Sequence, residues 1–313
     1  MPAGTATSSN GEARLDETIT LPVPIMTAGM LATALILGGL FVLLFTCERL
    51  FPLRRSRVAL ARRLVVNLSI SALAIGTAAV LVEPAAATTL QYVSERQFGL
   101  LHWVELPAIV QSVIAFLLLD LTFYYWHLAN HKIAFLWRFH NVHHIDPDLD
   151  VSTAFRFHFG EVAMSAGFRA LQIGLIGASP VIFAIYELVF QANTLFHHSN
   201  VRLPLMAERF LNLILVTPRM HGIHHSEVRR ENNSNFSVVF PWWDRLHRTL
   251  RLSIPQSQIV IGIPGYTTAA DNKLKSALMM PFERQRSYWH RPDGTTAERD
   301  STDIKVPLSR MEA

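Results

Sequence analysis

Ile109–His144 reads IVQSVIAFLLLDLTFYYWHLANHKIAFLWRFHNVHH, and the fold is decided there. Ile109 to Trp126 is apolar apart from Asp120, long enough for a helix entering a bilayer. It runs straight into His127, His131, His140, His143 and His144, so a membrane span should lead into helices loaded with imidazole. Asp120, Tyr124, His127 and His131 are spaced by four, three and four residues, which puts them on one helical face. A carboxylate near the membrane is costly without a partner. Asp120 is therefore expected to accept a hydrogen bond from a ligating imidazole, the alternative being a structural pair with an arginine.

The H-x-x-H-H of His140, His143 and His144 recurs downstream as His221, His224 and His225, with His197-His198 between them. With 14 histidines in 313 residues, random order would give roughly 0.03 copies of that pattern. Pro218 suits the start of the helix that carries the second copy. Imidazole is the commonest protein ligand for metals. Adjacent histidines point about 100° apart on a helix, so they serve either two ions or one ion from opposite edges. The candidate ligands are His127, His131, His140, His143, His144, His198, His221, His224 and His225. A tetrahedral zinc site takes four ligands, and a catalytic one usually three plus water. So many imidazoles imply two metals of high coordination. Imidazole suits iron, zinc, copper and nickel alike, so the metal stays open at this point.

Half of the residues are hydrophobic, 17% are charged and the mean hydropathy is positive, as expected for a membrane protein. Ile25 to Cys47 and Leu64 to Val82 are further spans. Val162 to Phe196, interrupted by Arg169, Gly177 and Pro180, reads as two short helices meeting at Gly177–Pro180, a re-entrant or hairpin pair. Arg49, Arg54, Arg55, Arg57, Arg62 and Arg63 between the first two spans predict a cytoplasmic loop. The third span then delivers the histidines to the cytoplasmic side. With a net charge of only +4, those arginines point to anionic lipid, and nothing suggests nucleic acid. Cys47 is the single cysteine, which excludes an intrachain disulfide framework, an iron–sulfur cluster and a thiolate zinc site.

The order HLANH, HNVHH, FHHSN and HGIHH on a multi-span chain resembles the fatty acid hydroxylase/sterol desaturase superfamily. The resemblance runs from about Ile109 to Arg251 and includes Asp120, Tyr124 and His127, Thr217-Pro218-x-x-His221 and Trp243-Asp244-Arg245. It implies a histidine-bound di-iron centre that hydroxylates or desaturates lipids with O₂, although zinc can occupy such a site in purified protein. It also implies that the histidines named above are ligands. His197 is set apart from them, because the family often has another polar residue there. Thr194 stands where some relatives have a further histidine. Arg156, His158 and Glu161 match a family segment with this spacing and are expected beside the ligands or against a lipid head group. Asp120, Tyr124 and Asp244 are expected to support the ligands as well. Where the family usually has Asn-Tyr-Gly and Phe-Gly-Thr, this chain has Asn235-Phe236-Ser237 and Leu246-His247-Arg248-Thr249. His102, His247 and His290 are isolated and read as ordinary histidines.

The expected fold is an all-α integral membrane protein, with about four membrane-embedded helical segments under a cytoplasmic helical cap that holds the metals. Residues 1–22 are expected to be a disordered tail, 23–108 the first spans and basic loop, 109–251 the catalytic domain, and 252–313 a largely loose cytoplasmic segment. The substrate is expected to be a membrane lipid attacked at an aliphatic C–H bond. No nucleotide-binding glycine fingerprint is present, so electrons must come from a separate donor or reductase. One rival is a zinc-dependent membrane hydrolase with Glu161 or Asp244 as base. The other is a metal transporter or store, whose ligands would sit within spans near the midplane.

Overall fold

The computed structural model describes residues 28–299, and over these the chain is helical with only isolated β-bridges. The expected tail at 1–22 and residues 300–313 lie outside the described residues. Among the described residues, three helical stretches are long and apolar enough to cross a membrane: Gly29–Leu50, Leu60–His102 and Ala108–Lys132. The first is α1 (Ala28–Leu50). The second joins α2 (Leu60–Thr77) through a π-helical turn at Ala78–Val82 to α3 (Glu83–Arg96), well past the expected end at Val82. The third is α4 (Ala108–Lys132), which carries the first two histidines in its last turns.

After α4 the chain turns at Ile133 into α5 (Ala134–His144). Then follow α6 (Phe159–Ile176) and α7 (Pro180–His198), the pair expected from the break at Gly177–Pro180. Gly177 closes α6 in the left-handed region at φ 76°, and Pro180 opens α7 in its first turn behind the Ser179 cap. A Cβ on Gly177 would also lie 2.9 Å from the Phe98 carbonyl, and the neighbouring Gly99 is constrained as well. Gly99, at φ 106°, comes so close that a Cβ on it would lie 2.5 Å from the backbone of Gly177. Inside the pair, α6 packs on α3 and α4, while α7 packs on α1 and α4. The remaining helices are short: α8 (Leu205–Leu211), α9 (Pro218–His224), α10 (Arg229–Asn232), α11 (Trp242–Leu246) and α12 (Leu274–Met279).

Of the six arginines expected to face anionic lipid, Arg49, Arg54 and Arg63 turn inward, while Arg55, Arg57 and Arg62 stay exposed. Arg63 grips both oxygens of Asp146 at 2.8 and 2.9 Å and Asp150 at 2.7 Å. Arg49 reaches Asp150 at 3.0 Å, Arg54 reaches Gln256 at 2.6 Å, and the Arg57 and Val58 amides donate to Asp148. Burial alone would raise the Asp146 pKa, but Arg63 and then Arg156 outweigh it and hold this carboxyl well below its usual range. The carboxylates after α5 supply the countercharge, which the charge count of the loop does not reveal.

The segment expected to be loose is also different over 252–299. Ile263, Tyr266, Ala277 and Met280 share a core with Val66 and Ile70 of α2 and Trp137 and Val142 of α5. Ile254, Ile259 and Ile261 pack on Leu149 and Ile223. These apolar residues are scattered among polar ones without a period, so no local pattern announces them, yet they cover the side of the histidine helices.

Candidate metal centre

Four helices, α4, α5, α7 and α9, converge to form the site. α4 presents His127 and His131 one turn apart, α5 presents His140, His143 and His144, α7 ends on His198, and α9 presents His221 and His224 with His225 at its C-cap. The ligand nitrogens form two sets, each with its atoms within 4.8 Å of one another. His127, His131, His140, His144 and His224 make one; His143, His198, His221 and His225 make the other. The two adjacent pairs are split between the sets, His143 from His144 and His224 from His225. Their rings lie nearly perpendicular, at 89° and 81°, and the helical step of about 100° sends neighbouring side chains in different directions.

Hydrogen bonds fix several of the rings. His127 Nδ1 donates to the Phe236 carbonyl at 2.8 Å, His224 Nδ1 to Ser234 at 2.7 Å, and His198 Nδ1 to Thr194 at 2.8 Å. A carbonyl only accepts, so Nδ1 carries the proton in these rings and Nε2 keeps its lone pair for the interior. His140 Nδ1 meets Glu161 Oε1 at 2.9 Å. Burial, and then the neighbouring imidazoles, push His143, His144, His221, His224 and His225 well below the ordinary imidazole range. These five are therefore neutral, the form that binds metal.

The donor set fits metal ions. His198 Nε2 lies 3.0 Å from both His143 Nε2 and His221 Nε2, and His221 Nε2 lies 3.1 Å from His225 Nε2. Nitrogens bound at about 2.1 Å to one ion, at right angles, would lie about 3.0 Å apart. Both nitrogens of His131, and Nε2 of His224, are buried without a hydrogen-bond partner among the described residues. Each such group costs about 1–3 kcal/mol unless its lone pair or its N–H finds a partner.

The residues expected to support the ligands divide. Glu161 does touch one of the clustered rings. Asp120 does not: its carboxylate accepts from the Phe240 amide at 3.1 Å and the Trp243 indole at 2.7 Å, and among the described residues no imidazole or arginine reaches it. α4 turns that carboxylate toward the 236–243 loop, which the helical face alone could not foretell. Tyr124 bonds Thr249 at 3.0 Å and stacks on His247. Asp244 accepts from the amides of Phe236 and Ser237 and from Thr249. Together these three hold the loop whose carbonyls at Ser234 and Phe236 orient His224 and His127. Arg156 is buried and spends its donors on the Val142 carbonyl, Asn67 and Asn272, so it contacts no head group from outside. His158 caps α6, accepting from the Gly160 amide and meeting the Leu278 carbonyl. His197 belongs to neither set; its Nδ1 faces Asn193 at 3.3 Å. Ser234, Phe236 and Thr194 act through backbone carbonyls, for which a sequence carries no signal. Asn235 was visible only as part of a family segment. At φ 56° its side chain ties the Met220 and Arg251 carbonyls together and shapes the loop.

A family model described as fatty acid hydroxylase matches residues 112–249. The chain is 32% identical over 179 residues to an ornithine lipid hydroxylase of Rhizobium tropici, covering 57% of this chain and 52% of the relative. It is 28% identical over 172 residues to a cholesterol 25-hydroxylase of Homo sapiens, covering 50% and 61%. With an alkylglycerol monooxygenase of Homo sapiens the identity is 29% over 152 residues, covering 48% and 32%. The matched region spans about half the length of the first of these relatives and about a third of the last. No solved structure matches this chain.

Proposed function

Residues 112–249 belong to the fatty acid hydroxylase family, and from that premise we propose that the protein is a membrane-embedded lipid hydroxylase working with O₂ at a two-iron centre. The observation that carries this reading is the division of the histidines into two sets, with His143 and His225 in one and His144 and His224 in the other. A hydrolytic zinc needs three protein ligands and a water. Two neighbouring sets of five and four imidazoles exceed that need and suit a pair of redox ions.

Bound there, two irons would supply the activation of O₂ and the removal of hydrogen from an aliphatic carbon. The chain's own residues hold neutral nitrogens inward, fix ring orientation through Nδ1, and exclude water by burying the cluster. The substrate class we propose is a membrane lipid: a fatty acyl chain, a sterol or a related amphiphile. Hydroxylation is favoured over desaturation because the relatives named above are hydroxylases and a monooxygenase. Electrons come from a separate donor, since the chain holds one cysteine and no nucleotide-binding glycine fingerprint. The basic connection between α1 and α2 supports a cytoplasmic position for the site, and a location at helix ends rather than mid-span argues against a transporter.

The test is metal content per chain of the detergent-purified protein, beside His143→Ala, His224→Ala and the double variant. About two irons in the parent, one lost in each single variant and both in the double, is the expected result. Lipid extracts from cells making the protein should then contain an oxidised lipid that is missing with the double variant. A single zinc per chain that iron cannot replace would sink the proposal and promote the hydrolase.

A further inference from the structure

Beside the first histidine set the surface opens into a cavity of about 240 Å³ that reaches His131. His131 is the one clustered imidazole that is not fully buried, and neither of its ring nitrogens has a partner. Two cations stand on the cavity wall. Among the described residues Lys132 Nζ is hydrogen-bonded only to a neutral group, the Asn233 amide oxygen at 3.0 Å. Arg229 lines the same space and forms no ion pair among the described residues. The carboxylates beside it in sequence are already taken, Glu227 by Arg291 and Glu231 by Arg299. The other wall is aromatic: Trp137 stacks on Trp289 at 6.0 Å between ring centres and 20° between planes.

We propose that this cavity is a binding site for a phosphate or carboxylate anion, held between Lys132 and Arg229. Both side chains are exposed, so each can turn toward the cavity, and an anion between them offsets their mutual repulsion. A guanidinium offers a planar fork to such an oxyanion, while the ammonium adds a point charge. The cavity is smaller than the roughly 300–1,000 Å³ that encloses a whole drug-sized ligand. It therefore holds a head group with the rest of the molecule outside. Ile133 and Phe135, 50% and 58% exposed, continue an apolar surface from the end of α4 onto α5, where an attached chain can lie. Assigning the anion to a lipid head rests on the reading as a lipid hydroxylase; the anion site itself does not.

The experiment is a fluorescence titration of the full chain in a neutral detergent, read from its tryptophans. Three probes are added separately: inorganic phosphate, a single-chain lysophosphatidate, and a neutral monoacylglycerol with the same chain. Both phosphate-bearing probes should give a saturable change, weakened tenfold or more in Lys132→Gln/Arg229→Gln and weakened less in Arg229→Lys, which keeps the charge and loses the fork. Trp289→Phe should remove most of the signal, which locates it. Tighter binding of lysophosphatidate than of phosphate assigns the site to a lipid head, and equal binding assigns it to a free anion. No saturable response to either phosphate probe, equal binding of the neutral probe, or unchanged affinity in the double variant overturns the proposal. The metal counts proposed above do not depend on this result, so the two readings fail separately.

Discussion

Glu161 shows how much one residue's role depends on its neighbours. Its Oε1 meets His140 Nδ1 at 2.9 Å, so it sets which nitrogen of that ring faces the cluster. Replacing Glu161 with Ala should weaken metal retention by roughly 10–100-fold, the usual effect of losing such a partner. Glu161→Gln keeps an acceptor oxygen and should recover part of that loss. Competition with a chelator of known affinity measures both variants. Equal retention in the parent and Glu161→Ala would show that the ring is held by packing alone. The sequence placed Glu161 and Asp120 in similar supporting roles, and only one of them touches an imidazole. Helical periodicity says which residues share a face, but not which element will cover it. For Asp120 that element is the loop carrying Phe240 and Trp243, more than a hundred residues downstream.

At the scale of elements, the α6–α7 pair positions His198 by ending α7 beside α9. Its turn was legible because Gly, Ser and Pro mark a helix stop and start in any context. What the sequence did not carry was the second glycine, Gly99, whose backbone lies against the turn. Gly177→Ala should destabilise the protein by about 1–3 kcal/mol, because a side chain there is strained at φ 76° and meets the Phe98 carbonyl at 2.9 Å. Gly167→Ala on α6 is the control: a Cβ there meets nothing within 4 Å and should be neutral or slightly stabilising. Thermal unfolding in one detergent compares the two, and equal melting temperatures would contradict the close approach of the turn. The loop from Ser234 to Thr249 is the opposite case. It has no periodic pattern, and its order comes from Asp120, Tyr124 and Asp244, three side chains fixed by two different helices.

Across the whole molecule, the first membrane helices and the histidine helices are joined by charge. Arg63, 4% exposed on α2, binds Asp146 and Asp150 just beyond α5, and Asn67 adds a bond to Asp146 at 2.8 Å. Breaking such a pair strands the partner charges, at a cost of about 3–5 kcal/mol. Arg63→Met should therefore lower the unfolding temperature markedly and loosen metal binding with it, since Asp146 lies two residues after His144. A variant that melts with the parent would mean that the network is not what joins the two halves. Length of apolar runs, helical spacing and the repeated H-x-x-H-H are local properties, and from them the sequence by itself determined a helical membrane chain and its metal-binding residue type. The composition of each set, the inward turn of Arg49, Arg54 and Arg63 and the packing of 252–299 were decided only by the tertiary structure. The physical reason is range: a periodic pattern fixes the direction of a side chain on its own helix. The carbonyl that orients His127, however, comes from Phe236, 109 positions away, and no local pattern encodes that meeting.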